Sequence, residues 1–405
     1  MSTAVDSRRA VRRLAWGRGI TVGGDFAGRT ALLVEVFAHT HSTAWLSITM
    51  LANLGLSALV SPLAGWVADR FNRRWVMLSS ETAAGLMWLL MALVASRVSL
   101  SVLVGLNLGA ALLNSPFQSA SSAAIPNLAG PANLDWANRT LASASGIALV
   151  IGPFAGGALA GTLGARGVYA INAATFLASA VFVSVSHGHF GGGASKHEVS
   201  GLLDGFRVVR RSRVLQKLFL VSMLWDMSFG ICMVADLPLA DFFGAGAIGF
   251  ALISTVWGVG SIAGSAWLAR RYGEGREHTG MAVGTALMAI GIGGTAVPNT
   301  FVAIVLLQSL GGLGWGLVRS PWSSAVQRST DDRTRGRVFA LSTACDQGFL
   351  MVGFVLAGPL GSRFGAQQLY VWPGLAMVVA VLVATTARVK SASKSSSDER
   401  VTLPA

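Results

Sequence analysis

Arg18, Asp25 and Arg29 interrupt an otherwise apolar run near the start of the chain, at spacings of seven and four residues. On a helix those spacings put all three on one face, and Asp25 and Arg29 are close enough to pair directly. Glu35 lies roughly 80° around from that stripe, at about 100° per residue. A later apolar run carries Asp226. Two more carry polar residues at i, i+7 and i+11: Asn107, Asn114 and Gln118 in one, Gln308, Trp315 and Arg319 in the other. An ionisable group in hydrocarbon is costly unless it is paired or wet, so such residues mark a path for a solute or a proton. The chemistry they offer is non-covalent. A carboxylate that takes up a proton releases the cation it held and recaptures it on losing the proton.

From these patterns we expect Asp25 and Asp226 to take part in proton coupling, with Glu35 as an outer relay. Asp226 has no cation within a turn, so it is expected to carry the exchangeable proton, while Asp25 and Arg29 form a switchable pair. Arg29, Asn107, Asn114, Gln118, Gln308, Trp315 and Arg319 are expected to line a cavity. Plainer roles stand beside these. Asn107 and Gln308 fit interhelical hydrogen bonds, Arg29 fits a structural counterion of Asp25, and Trp225, Trp257, Trp315 and Trp322 fit packing or interfacial anchoring. Glu81 and Asp346 suit either proton sites or gate partners of Arg70 or Arg73.

The elements that must hold these residues are membrane spans. The chain has 405 residues, 53% hydrophobic and 12% charged, with a mean hydropathy of +0.59. Soluble domains carry about 25% charged residues. A spanning helix needs about 20 apolar residues. The apolar runs read as spans at 14–39, 44–68, 74–96, 99–125, 139–163 and 167–187, then 215–240, 245–269, 279–298, 300–327, 338–362 and 366–388. The reading is an all-α integral membrane protein of twelve transmembrane helices. It has an N-terminal six-helix bundle over 1–187, a cytoplasmic linker over 188–214, a C-terminal six-helix bundle over 215–390 and a cytoplasmic tail over 391–405. A basic amphipathic stretch from Leu202 to Lys217 is expected to form a surface helix within and beyond the linker.

The net charge of +13 does not mark a nucleic-acid binder, because the cations follow topology. Most of the 31 Lys and Arg fall in the N-terminal segment, alternate loops, the linker and the tail. Loops on the other side hold only Arg97, Arg166 and Arg363. The positive-inside rule then puts both termini in the cytoplasm. Arg far outnumbers Lys, and Ala and Gly abound, which suggests a GC-rich bacterial genome and a multi-pass protein of the inner (cell) membrane. No cleavage site follows the first apolar run, so it reads as a span and not as a signal peptide. Cys232 and Cys345 lie in apolar runs and imply no disulfide framework.

Shifting the chain by about 201 residues superimposes its halves. Asp25 falls on Asp226, and Asn107 and Gln118 fall on Gln308 and Arg319. Trp66, Ala68, Arg70 and Phe71 fall on Trp267, Ala269, Arg271 and Tyr272; Gly152, Gly157 and Gly164 fall on Gly353, Gly358 and Gly365. Six spans per half preserve orientation, so the halves are expected to be parallel repeats with a site between them near the midplane.

Between the second and third spans the chain reads Gly65-Trp-Val-Ala-Asp69-Arg70-Phe-Asn72-Arg73-Arg74. This resembles the signature loop of the major facilitator superfamily, with Asn72 where Gly is usual; Asn also tolerates a left-handed turn. Gly152-Pro153-Phe-Ala-Gly156-Gly157 resembles the Gly-Pro motif of its drug/proton antiporters. Pro126-Asn-Leu…Asn138-Arg139 and Arg335-Gly336-Arg337-Val338 add a likeness to the branch of macrolide-efflux and enterobactin-export proteins. The resemblance implies two pseudo-symmetric bundles, a cavity lined by the first, fourth, seventh and tenth spans, and a gate at Gly65, Asp69, Arg70, Arg73 and Arg74. It implies a secondary exporter of a small amphipathic compound, proton-coupled and working by rocker-switch alternating access. An uptake symporter or a lipid flippase on the same fold is the alternative. The expected partners are a small-molecule substrate, protons and membrane lipid, with no nucleic acid, and a monomer is the expected state. No Walker loop and no Cys/His cluster is present, so no cofactor, metal or enzymatic activity is expected; His187 and His189 offer at most a weak metal contact.

Overall fold

The computed structural model describes residues 2–186, 188, 190–191, 202–268, 271–272 and 276–387. The tail and most of the linker, with His187, His189, Ala269 and Arg270, lie outside the described residues. The first half contains α1 (Ser2–Thr40), α2 (Thr43–Met50), α3 (Leu56–Arg70), α4 (Arg73–Val94), α5 (Leu100–Ala129) and α6 (Leu134–Ser184). A short helix, α7 (Leu202–Arg211), precedes the second half, which contains α8 (Arg213–Phe242), α9 (Gly246–Ala263), α10 (Glu277–Met288), α11 (Phe301–Arg328), α12 (Asp332–Phe364) and α13 (Val371–Thr386). A π turn at Leu51–Gly55 joins α2 to α3, and π turns at Gly264–Leu268 and Ala289–Gly293 extend α9 and α10. Among the described residues, eight helices are by themselves long and apolar enough to cross a membrane.

The longest of these, α6, is two helices that meet at Gly164, where φ 68 and ψ 168 leave the helical region. Its counterpart under the 201-residue shift is Gly365, with φ 83 and ψ 169, which ends α12. Left-handed backbone of this kind favours glycine, so both halves turn at the same point by the same device. The expected surface helix breaks at Ser212, whose hydroxyl accepts from the Leu215 amide and caps α8. Asp204 on α7 bonds Arg337 of α12 at 2.9 Å, seating the short helix on the second bundle.

Indole nitrogens pin the second bundle internally. Trp225 donates to Thr285 Oγ1 and Trp322 to the Leu218 carbonyl, each at 3.0 Å. Among the described residues, the halves meet mainly where α2 packs on α12 and α6 on α9. Thr43 Oγ1 donates to the Gly358 carbonyl at 3.1 Å, and a Cβ on Gly157 would lie 2.8 Å from the Ala247 carbonyl. These contacts sit where α2 and α9 begin and α12 ends, remote from the N-terminal end of α1. The interface is therefore closed at that far end, with small residues letting backbones approach.

Candidate functional site

In the first half, Arg29 Nη2 lies 2.7 Å from Asp25 Oδ2, with side chains 21% and 17% exposed. The pair is local, one helical turn apart, and its surroundings are tertiary. A Cβ on Gly152 would meet the Gly23 carbonyl and Phe26 Cβ at 2.8 Å, and one on Gly156 would meet Ala27 Cα at 2.6 Å. The helix-five motif thus presses α6 against the α1 backbone on both sides of Asp25. Glu81, fully buried on α4, accepts from Thr21 Oγ1 at 3.3 Å, one turn before Asp25. Glu81 belongs to this cluster and does not reach the loop arginines. Arg18 Nη1 donates to Ser121 Oγ at 3.4 Å, at the long end of hydrogen bonding.

In the second half, Asp226 is 8% exposed on α8 and meets Asp346 from α12, with Arg319 of α11 as the neighbouring cation. Ser342 Oγ donates to Asp346 Oδ2 at 3.3 Å. Asp226 has no cation within a turn of α8, as the spacing reads, and gains one from α11. Its companions come from other helices, which residue spacing along α8 could not reveal. Asp346 is likewise a partner of Asp226 and not of the loop arginines.

A cavity of about 330 Å3 lies between the halves. Arg29, Asn53 and Pro153 line it from the first half, and Asp236, Gln308 and Trp315 from the second. Phe229 stacks on Trp315 with ring centroids 5.3 Å apart and an interplanar angle of 12°, and packs on Trp257 at 5.8 Å. Of the residues expected in the cavity, Arg29, Gln308 and Trp315 line it. Asn107 is buried and donates to Asn53 Oδ1 at 2.6 Å, so the residue that faces the cavity is Asn53, in the π turn. Asn114 is buried, while Gln118 and Arg319 are exposed, the latter with its guanidinium 5.5 Å from the Trp315 ring centroid. A second groove, about 580 Å3, runs between α1 and α6. Its walls are almost wholly apolar and hold none of the polar stripe residues, so the smaller cavity is the better-built site.

Sequence reasoning missed Asp236, Asn53 and Phe229. Glu35 accepts from the Tyr169 hydroxyl, and Asp236 accepts from the Tyr370 hydroxyl. The repeat shift that pairs Asp25 with Asp226 also carries Glu35 to Asp236 and Tyr169 to Tyr370, so the signal for Asp236 was present.

In the loop, Asp69 pairs with Arg73 at 3.6 Å, and Arg73 Nη1 donates to the Ala123 carbonyl at 3.0 Å. Arg74 donates to the Ser184 carbonyl, and Arg70 lies over the Trp66 ring at 5.4 Å. A Cβ on Gly65 would meet nothing within 4 Å. Asn72 is not left-handed. With φ −60 and ψ 117 it caps α4, its Oδ1 accepting from the Arg74 amide at 3.0 Å. Its fitness here comes from N-capping and not from tolerance of positive φ. No group of three potential metal ligands occurs among the described residues.

Two helical bundles packed around a cavity whose largely apolar walls carry a few polar groups, with ionisable residues inside long apolar helices, define a membrane-embedded transporter. The chain belongs to the Major Facilitator Superfamily, whose sequence profile matches residues 19–348 and 265–403. It is 25% identical over 392 residues to the multidrug efflux pump Tap of Mycolicibacterium fortuitum, covering 91% of each chain. It is 24% identical to the multidrug resistance protein MdtG of Escherichia fergusonii, covering 82% of this chain and 80% of that one. Its fold is similar to a bacterial homologue of the iron transporter ferroportin in an inward-facing state. That match has a TM-score of 0.71 at 17% identity and covers 94% of this chain and 98% of that one. It is also similar to the nucleoside transporter NupG, with a TM-score of 0.72 at 16% identity over 92% of this chain and 99% of that one.

Proposed function

We propose that this chain is a secondary exporter of a small amphipathic compound in the bacterial inner membrane, driven by proton entry. Its twelve spans would place both termini in the cytoplasm and carry out rocker-switch alternating access as a monomer. The observation that carries this reading is the cavity between the halves, together with two carboxylate clusters, partly to fully shielded from solvent, on repeat-related helices. Asp25 pairs directly with Arg29, and Asp226 meets Asp346 with Arg319 as the neighbouring cation. Protonation of such a carboxylate loosens its arginine, which gives the two halves a reason to repack. The likeness to efflux pumps favours export over uptake. The loop at Asp69 to Arg74 would hold the cytoplasmic end when it closes, and Gly65 supplies a bare surface for that closure.

The test is transport by the purified chain in proteoliposomes. With an imposed proton gradient, a labelled compound from an antibiotic and siderophore panel should move opposite to the proton and stop when a protonophore is added. Movement in the same direction as the proton would make the protein an uptake symporter.

A further inference from the structure

The carboxylate–phenol contacts Glu35–Tyr169 and Asp236–Tyr370 occupy equivalent positions in the two repeats, and each joins the first span of its half to the last. Only one of the acids, Asp236, lines the cavity. Among the described residues, the one other charged residue in that lining is Arg29, and its charge is already matched by Asp25 at 2.7 Å. Asp236 spends one oxygen, Oδ1, on the Tyr370 hydroxyl and leaves the other for a ligand. Beside it stand the rings of Trp257, Phe229 and Trp315, packed in sequence. Aromatic faces attract cations, most strongly away from water. A pocket that offers stacked rings and one acid not neutralised by an arginine selects by charge as well as by shape.

We propose that Asp236, held by Tyr370, is the specificity-determining residue of the cavity, and that the substrate class is an organic cation bearing flat apolar groups. This rests on the cavity being the transport site, and it adds the charge of the substrate and the residue that reads it. Glu35, the same chemistry off the cavity, meets Tyr169 between α1 and α6 and takes no part in reading substrate charge.

The test is equilibrium binding to the purified full chain in nanodiscs, with no gradient present. The probes are tetraphenylphosphonium and tetraphenylborate, which share a shape and differ in the sign of their charge. The wild-type chain should bind the cation at least about tenfold more tightly than the anion, as expected when a desolvated charge finds its partner. Asp236→Asn keeps an acceptor for Tyr370 but removes the charge, and should abolish that preference. Asp236→Glu should restore part of it, and Glu35→Gln should leave it within about twofold of wild type. Melting temperature and size-exclusion profile certify that each variant is folded. Equal binding of the two ions by the wild type, or an unchanged preference in Asp236→Asn, overturns the proposal. Because no gradient is used, a preference lost in Asp236→Asn supports it even where proton-driven export fails.

Discussion

Neutralising Asp25 should damage the protein in a way that neutralising Arg29 at the same time repairs. Asp25→Asn leaves Arg29 at membrane depth with its nearest anion gone and its Nε already without a hydrogen-bond partner. Breaking a fully buried pair costs about 3–5 kcal/mol. Here the side chains are 21% and 17% exposed, so water recovers part of the loss, and about 1–3 kcal/mol is the expected range. Arg29→Gln removes the charge that needed a partner, and the double variant Asp25→Asn/Arg29→Gln should lose less than the sum of the two singles. A coupling of about 1 kcal/mol or more is the expected signature of residues in direct contact. The assay is thermal unfolding of each purified variant in detergent, followed by tryptophan fluorescence, beside transport in proteoliposomes. Additive losses, or a double variant worse than Asp25→Asn, would refute a switchable pair and reduce Arg29 to a residue that Asp25 does not need.

Asp226→Asn should behave differently, because Asp226 meets a second acid, Asp346, and an amide in its place keeps a hydrogen-bonding partner for Asp346 without stranding an arginine. Membrane abundance and melting temperature should hold or rise while gradient-driven transport is lost and gradient-free exchange persists; active pumping by this variant would move the proton site elsewhere. Gly156→Leu should lower abundance sharply, since its Cβ would sit 2.6 Å from the Ala27 backbone, whereas Gly65→Leu meets open space and should fold normally while slowing transport. Immunoblot and proteoliposome flux separate the two, and normal flux in Gly65→Leu would remove that glycine from the gate. Asp69→Asn should reduce efflux at near-normal abundance, because a partly exposed ion pair contributes little to stability. Reporter fusions after Ser200 and Ser391 should both report cytoplasm, and a periplasmic signal from either would break the proposed topology.

The sequence by itself determined the solvent of this protein, the order of its apolar helices, its internal repeat and the Asp25–Arg29 pair one helical turn apart, though not the local caps at Asn72 and Ser212. Asp25 with Arg29 was legible because the α-helix dictates what lies four residues away. The glycines of the helix-five motif were legible as a close-packing surface, though not as one pressed on Ala27. Tertiary structure alone decided which helices share a site. Glu81 meets Thr21 across 60 residues, and Tyr370 meets Asp236 across 134. Asp346 and Arg319 converge on Asp226 from helices that no periodicity connects. Periodicity reports which face of a helix is polar and is silent on which neighbour that face will meet. The stripe of Asn107, Asn114 and Gln118 therefore scattered into an interhelical hydrogen bond, a buried amide and an exposed one. The cavity passed to Asn53 and Phe229 through a π turn and a stack of rings that exist only in the folded chain, and to Asp236 through a repeat that the sequence already carried.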